Sequence, residues 1–239
     1  MDVPSLMRQA MEFNRARCAI VFEGKAYSFA EAWERGVRVA NALVEMGVRP
    51  GDRVAAVEDN GIAAADLFIG AAIAGAVRVP LYARNSRESH VAMLRSTKSK
   101  VLFADKSYSG AIAGVEADLP DLGKIIVRDE NYEEWLAAKS ARDLTIAVKG
   151  DDWYVIRHSS GTSGRPKGVG YTHTGGWSIQ ETGSTGCLAS DGAPCSPTRR
   201  RSRTRRVICS CPRGLQEEPI SCSRASTFRR CSTRWKRIP

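Results

Sequence analysis

The stretch from Val54 to Leu81 constrains this chain most. Val54-Ala55-Ala56-Val57 is a short apolar run without polar alternation, the pattern of a strand buried on both faces. Ala63 to Ala74 is apolar on most faces of a helix and is stopped by Gly75, and Val77-Arg78-Val79-Pro80-Leu81 reads as a second strand. Two strands joined through a helix run parallel in one sheet, so this is a β-α-β unit.

The alternation extends to both sides of that unit. Ser28 and Glu31 have capping-box spacing after the β-like pair Ala26-Tyr27. Phe29, Ala30, Trp33, Val37, Ala40, Leu43 and Val44 then recur at helical spacing up to Gly47. Arg49-Pro50-Gly51-Asp52 forms the turn into the Val54 strand. A polar helix from about Ser86 to Ser96 leads to the strand Val101 to Asp105, and Lys124 to Val127 and Tyr154 to Ile156 add two more. The expected fold class is α/β, with a largely parallel sheet covered on both faces.

The pattern breaks near Trp177. Of the 36 Lys and Arg, 13 lie in residues 177 to 239, against 4 of the 26 Asp and Glu, so that stretch carries +9 and residues 1 to 176 carry 23 − 22 = +1. Cys18 is the one cysteine of the first part, and the other six follow Trp177. Arg, Ser, Thr, Cys and Pro dominate there with scattered large apolar residues, too few to bury a core. The expectation is a partial domain over 1–176 and a disordered, Arg-rich tail over 177–239.

One motif carries chemistry. After the Tyr154 strand comes His158-Ser159-Ser160-Gly161-Thr162-Ser163-Gly164-Arg165-Pro166-Lys167-Gly168-Val169. The glycines let backbone N–H groups approach an anion, the hydroxyls of Ser159, Ser160, Thr162 and Ser163 add donors, and Lys167 supplies a compact positive charge. Such a loop grips phosphates. It is not a Walker A loop, because Gly161 and Gly164 are two residues apart and Lys167 precedes Gly168 rather than Ser or Thr. A bare Ser-Gly-Thr-Ser-Gly would read as a flexible linker; the preceding strand and the following Arg-Pro-Lys-Gly-Val argue against that. Read alone, His90 and His158 have solvated or packing roles, Cys18 is a small buried apolar residue, and Arg78 is an exposed charge at a strand end.

The segment resembles the phosphate loop of AMP-forming adenylating enzymes, whose usual form is Tyr-Thr-Ser-Gly-Thr-Thr-Gly-x-Pro-Lys-Gly-Val. His158 stands where that pattern has its first Tyr, and Ser159 and Ser163 stand for Thr. Tyr27 to Glu31, Gly47 to Val54, Ala74 to Leu81 and the pair Thr172-His173 are similar to other signature stretches of the family, in its order. The likeness is closest to fatty acid–CoA ligases. It implies an incomplete N-terminal domain of the acyl-CoA synthetase-like fold and use of ATP, Mg²⁺ and CoA with a fatty or other carboxylic acid. It also implies phosphate binding by Ser159, Ser160, Gly161, Thr162, Ser163, Gly164 and Lys167. The family's adenine-binding segment, Mg²⁺-binding Glu, ribose contact and catalytic Lys find no match among the 239 residues. No catalytic or metal-binding residue is therefore assigned, and the chain is expected to be inactive by itself.

Two accounts of residues 177–239 stay open. In the first they are an out-of-frame translation: joining the third base of each codon to the first two of the next lets Arg201 to Leu215 be re-read, within codon degeneracy, as ISHASGYLFLPAWA, a stretch with the family's character. In the second, Arg199 to Arg206 is a non-specific nucleic-acid or polyanion tether. A zinc site from Cys209, Cys211, Cys222 and Cys231 has the wrong spacing. Neither a signal-peptide core nor a run long enough to span a bilayer is legible, so a cytoplasmic setting is expected.

Overall fold

Ser28 sets the fold's first long element. Its hydroxyl accepts from the Glu31 backbone N–H while the Glu31 carboxylate accepts from the Ser28 backbone N–H, closing the expected capping box and starting helix α2, Phe29–Glu45. The structure is a computed structural model that describes residues 2–159 and 166–175. Upstream lie helix α1, Val3–Asn14, capped by Asp2, and a hairpin of β1, Cys18–Phe22, with β2, Lys25–Ser28. The sequence reading contained the Ala26-Tyr27 strand but not its partner.

Five of the remaining strands are the expected ones, the first four being β3, Arg53–Val57; β4, Val77–Leu81; β5, Val101–Asp105; and β6, Lys124–Arg128. With β7, Trp153–Ser159, and β8, Lys167–Thr172, they form a six-stranded sheet in the order β6-β5-β3-β4-β7-β8. Every neighbouring pair is parallel except β7 with β8. Helices α3, Ile62–Ile73, and α4, Arg87–Thr97, are the crossovers either side of β4, and the short α5, Tyr132–Ala137, follows β6. As expected for parallel strands, both faces of β3 and β5 are covered. Val54, Ala56, Val101 and Phe103 pack with α2 and α3, whereas Ala55, Val57, Leu102 and Ala104 pack with α4.

Two glycines let α2 and α3 touch. A Cβ on Gly70 would lie 2.6 Å from Val39 and 2.9 Å from the carbonyl oxygen of Gly36, so the two backbones meet without side chains between them. Gly75 ends α3 at φ +65°, turning the chain directly into β4. The same helices are tied by charge. Arg35 grips buried Asp66 with two hydrogen bonds of 2.9 and 2.8 Å and reaches Glu133 on the far side, and the Tyr132 hydroxyl donates to Asp66 at 3.1 Å.

Two readings of single residues are corrected. Cys18 is exposed, because it begins an edge hairpin lying outside the main sheet. Arg78 is not an exposed strand-end charge: its side chain is 15% exposed and bonds Glu58, since β4 sits inside the sheet with helices over both faces. His90 is fully buried, Nε2 3.1 Å from the Tyr82 carbonyl, which is the packing alternative.

Candidate functional site

The Ser/Gly loop is held by a hairpin whose first strand is parallel to the main sheet. β7 runs beside β4, so its carboxyl end, Ser159, points the same way as the ends of β3, β4 and β5. In open parallel sheets that end is where ligands bind, because helix N-termini and loops converge there. β8 returns antiparallel, with His158 opposite Gly168 and Ser159 opposite Lys167. A Cβ at Gly168 would lie 3.3 Å from Ile156 and 3.6 Å from His158 Nε2, so the hairpin packs closely there. Ser159 and Lys167, two of the seven expected phosphate-binding residues, thus flank the loop. Ser160, Gly161, Thr162, Ser163 and Gly164 lie outside the described residues.

A cavity of about 630 Å³ opens beside that hairpin. Its wall combines Arg157, His158 and Ser159 of β7 with Arg78 of β4, Glu58 beyond β3, and apolar contributions such as Met93 of α4. Burial alone pushes the His158 imidazole below its usual titration range, and among the described residues neither ring nitrogen has a partner.

Under the cavity runs an ion network that sequence reasoning missed. Glu58 accepts from Arg78 and, at 2.6 Å, from Arg128, whose Nη2 also lies 2.9 Å from Asp105. Arg128 is 3% and Glu58 6% exposed. These residues stand at or just past the carboxyl ends of β3, β5 and β6, with Arg78 inside β4, so the network stitches four adjacent strands together. A signal was present: single Arg residues embedded in Val77 to Leu81 and closing Lys124 to Arg128, with a Glu directly after the β3 run. On a second flank, Tyr154 and His173 pack ring to ring at 5.3 Å, both buried. Burial lowers the His173 pKa, while Asp2 and Asp152 pull it the other way.

A model of one family, the AMP-binding enzymes, matches residues 6–210. The chain belongs to the AMP-binding enzyme family. The match runs beyond Trp177, further than the periodicity of the sequence does. Among similar proteins, long-chain-fatty-acid–CoA ligase FadD13 of Mycobacterium tuberculosis is 33% identical over 138 residues, covering 57% of this chain and 27% of that protein. The 4-hydroxybenzoate–CoA/benzoate–CoA ligase of Rhodopseudomonas palustris is 30% identical over 173 residues, 70% of this chain and 32% of that one. The solved structure of a Mycobacterium tuberculosis fatty acyl CoA synthetase superposes with a TM-score of 0.67 at 29% identity, covering 72% of this chain and 34% of that one. This family member therefore spans about a third of the length of such relatives, and its fold is that of their N-terminal part.

The remaining expectations fall elsewhere. The Arg199 to Arg206 run, the cysteines after Trp177 and the expected disorder of 177–239 all lie outside the described residues. Among the described residues, no group of three His, Cys, Asp or Glu side chains converges as a metal site, and no helix is long and apolar enough to cross a membrane.

Proposed function

We propose that this chain carries the N-terminal part of an ATP-dependent, AMP-forming fatty acid–CoA ligase. In that reaction a carboxylate attacks the α-phosphate of ATP and displaces pyrophosphate, and the thiol of CoA then displaces AMP from the acyl-adenylate. The observation that carries the reading is the β7–β8 hairpin, which sets Ser159 against Lys167 at the carboxyl end of a parallel sheet. Phosphoryl and nucleotidyl transfer ask a protein chiefly for positioning and for cations near the phosphate oxygens. Lys167 supplies the charge, Ser159 the hydroxyl, and the intervening Ser160 to Gly164 the glycine-rich backbone. The likeness to fatty-acid and aryl–CoA ligases supports an acid and CoA as co-substrates.

Residues that would hold adenine, ribose, Mg²⁺ and the acyl group are not supplied by the 239 residues, so the chain alone binds phosphate without turning over. The change in charge and cysteine content after Trp177 supports a shift of reading frame there. The nucleotide sequence tests this: the shifted frame should run on, without early stops, into an acidic Mg²⁺ ligand, a ribose-binding Asp and a late Lys. Early stops, or open frame lacking those residues, would refute it.

A further inference from the structure

His158, next to Ser159 on β7, has both ring nitrogens shielded from solvent and, among the described residues, unbonded. A buried polar atom left without a partner is costly, and such atoms in a folded protein call for a reason. The ring also borders the 630 Å³ cavity beside Ser159, Arg157 and Arg78.

Burial disfavours the charged imidazole, and charges of both signs stand around it. Two carboxylates line that wall: Glu58 is engaged by Arg78 and Arg128 together, and Asp59 accepts the Tyr108 hydroxyl at 2.8 Å. The other charged side chains near the ring are cations: Arg78 on β4, Arg157 beside it on β7, and Lys167 one step along β8. Burial disfavours an imidazolium at this position, and among the described residues no carboxylate is bonded to the ring. A polyphosphate in the cavity supplies a negative partner that offsets that cost.

We propose that His158 is a proton-linked positioning residue of the anion site. It is neutral in the free chain and takes a proton from solvent when a polyphosphate binds beside Arg157 and Ser159. The proton ends on a ring nitrogen and no bond of the polyphosphate breaks. The positive charge therefore arrives only with the ligand. The Tyr usual at this position in the family cannot take that proton near neutral pH, so the linkage distinguishes this chain from members that carry the Tyr. The proposal rests on the phosphate-loop reading above. Its sign is fixed by linkage: a pKa below the ordinary range in the free chain and higher in the complex means affinity strengthens as pH falls between the two values.

Calorimetric titration of the full 239-residue chain, near neutral pH and in two buffers of different ionisation enthalpy, tests it. ATP is the ligand in one arm and pyrophosphate in the other, because both carry the shared phosphate chemistry. The wild type should take up more protons per bound ligand than H158Y, the difference approaching about one proton, and its affinity relative to H158Y should rise about threefold or more from about pH 8 to about pH 6. H158Q should behave like H158Y, which guards against a fault peculiar to the tyrosine variant. Equal proton uptake and equal pH slopes in wild type and both variants would overturn the proposal, as would a difference seen with ATP and not with pyrophosphate. K167A separates the two readings. If K167A loses binding while H158Y matches wild type in protons, the loop stands and the histidine role falls. If K167A binds like wild type, the loop reading itself falls.

Discussion

Ser159 and Lys167 face each other across the β7–β8 ladder, with Ser159 Oγ 3.5 Å from the Lys167 carbonyl oxygen. The two ends of the Ser/Gly loop are thereby pinned side by side, which fixes where the loop begins and ends and brings the one lysine of the motif next to its first hydroxyl.

Removing that lysine's charge should weaken binding without disturbing the fold, because Lys167 is exposed on β8. A hydrogen bond to a charged group contributes about 1.5–3 kcal/mol, so Lys167→Ala should weaken ATP binding roughly tenfold to a hundredfold. Equilibrium binding of ATP, with circular dichroism as the control for folding, measures it.

Glu58 should matter for stability more than any exposed ion pair. Truncating it in Glu58→Ala leaves buried Arg128 with Asp105 alone and Arg78 without its carboxylate, a loss of about 3–5 kcal/mol for a broken buried pair. Replacing Glu58, Arg78 and Arg128 together by leucine or methionine should be less damaging than Glu58→Ala, since no buried charge is left over. Urea unfolding of the three proteins provides the comparison.

Gly70→Ala sets two effects against each other. Alanine favours a helix interior over glycine by about 0.5–1 kcal/mol. The new Cβ, however, would meet Val39 at 2.6 Å and the Gly36 carbonyl at 2.9 Å, and a backbone atom cannot swing aside. Overpacking costs about 1–3 kcal/mol, so the net effect should be destabilising. A thermal melt of the variant should show a lower Tm.

The histidines give stability a pH dependence. Burial lowers the pKa of His173, and of His158, below the ordinary value of 6.5, so the unfolded chain binds protons there that the folded chain refuses. Stability is then complete above the unfolded value and declines as pH falls through it toward the folded value. Urea midpoints should fall between about pH 7.5 and about pH 5.5, and His173→Gln should flatten that fall even if it lowers stability throughout.

The capping box of Ser28 and Glu31, the α3 helix with its Gly75 stop, and strands β3 to β7 were legible because local chemistry and burial point the same way at each of them. Strand β8 was not, since Lys167 to Thr172 carries two glycines and belongs to the motif that drew the functional reading. Helix α1 lacks acidic residues in its first turn and basic residues in its last. The site was half legible. The loop motif announces phosphate binding through residue types alone, whereas the Glu58–Arg78–Arg128–Asp105 network depends on strand order, and no spacing along the chain brings Glu58 to Arg128. His158 shows the same limit, because its burial follows from the β7–β8 register rather than from its neighbours in sequence.

The central claim is that these residues are the N-terminal part of a working acyl-acid ligase and that frame, not fold, separates the chain from activity. Fatty-acid-dependent exchange of labelled pyrophosphate into ATP tests it most directly, run on the 239-residue chain and on the product of the same gene with the frame restored after Trp177. The account expects no exchange above background from the first and robust exchange from the second, abolished by Lys167→Ala. Exchange by the 239-residue chain alone, or a soluble restored protein that gives none with fatty acids of any length, would contradict it.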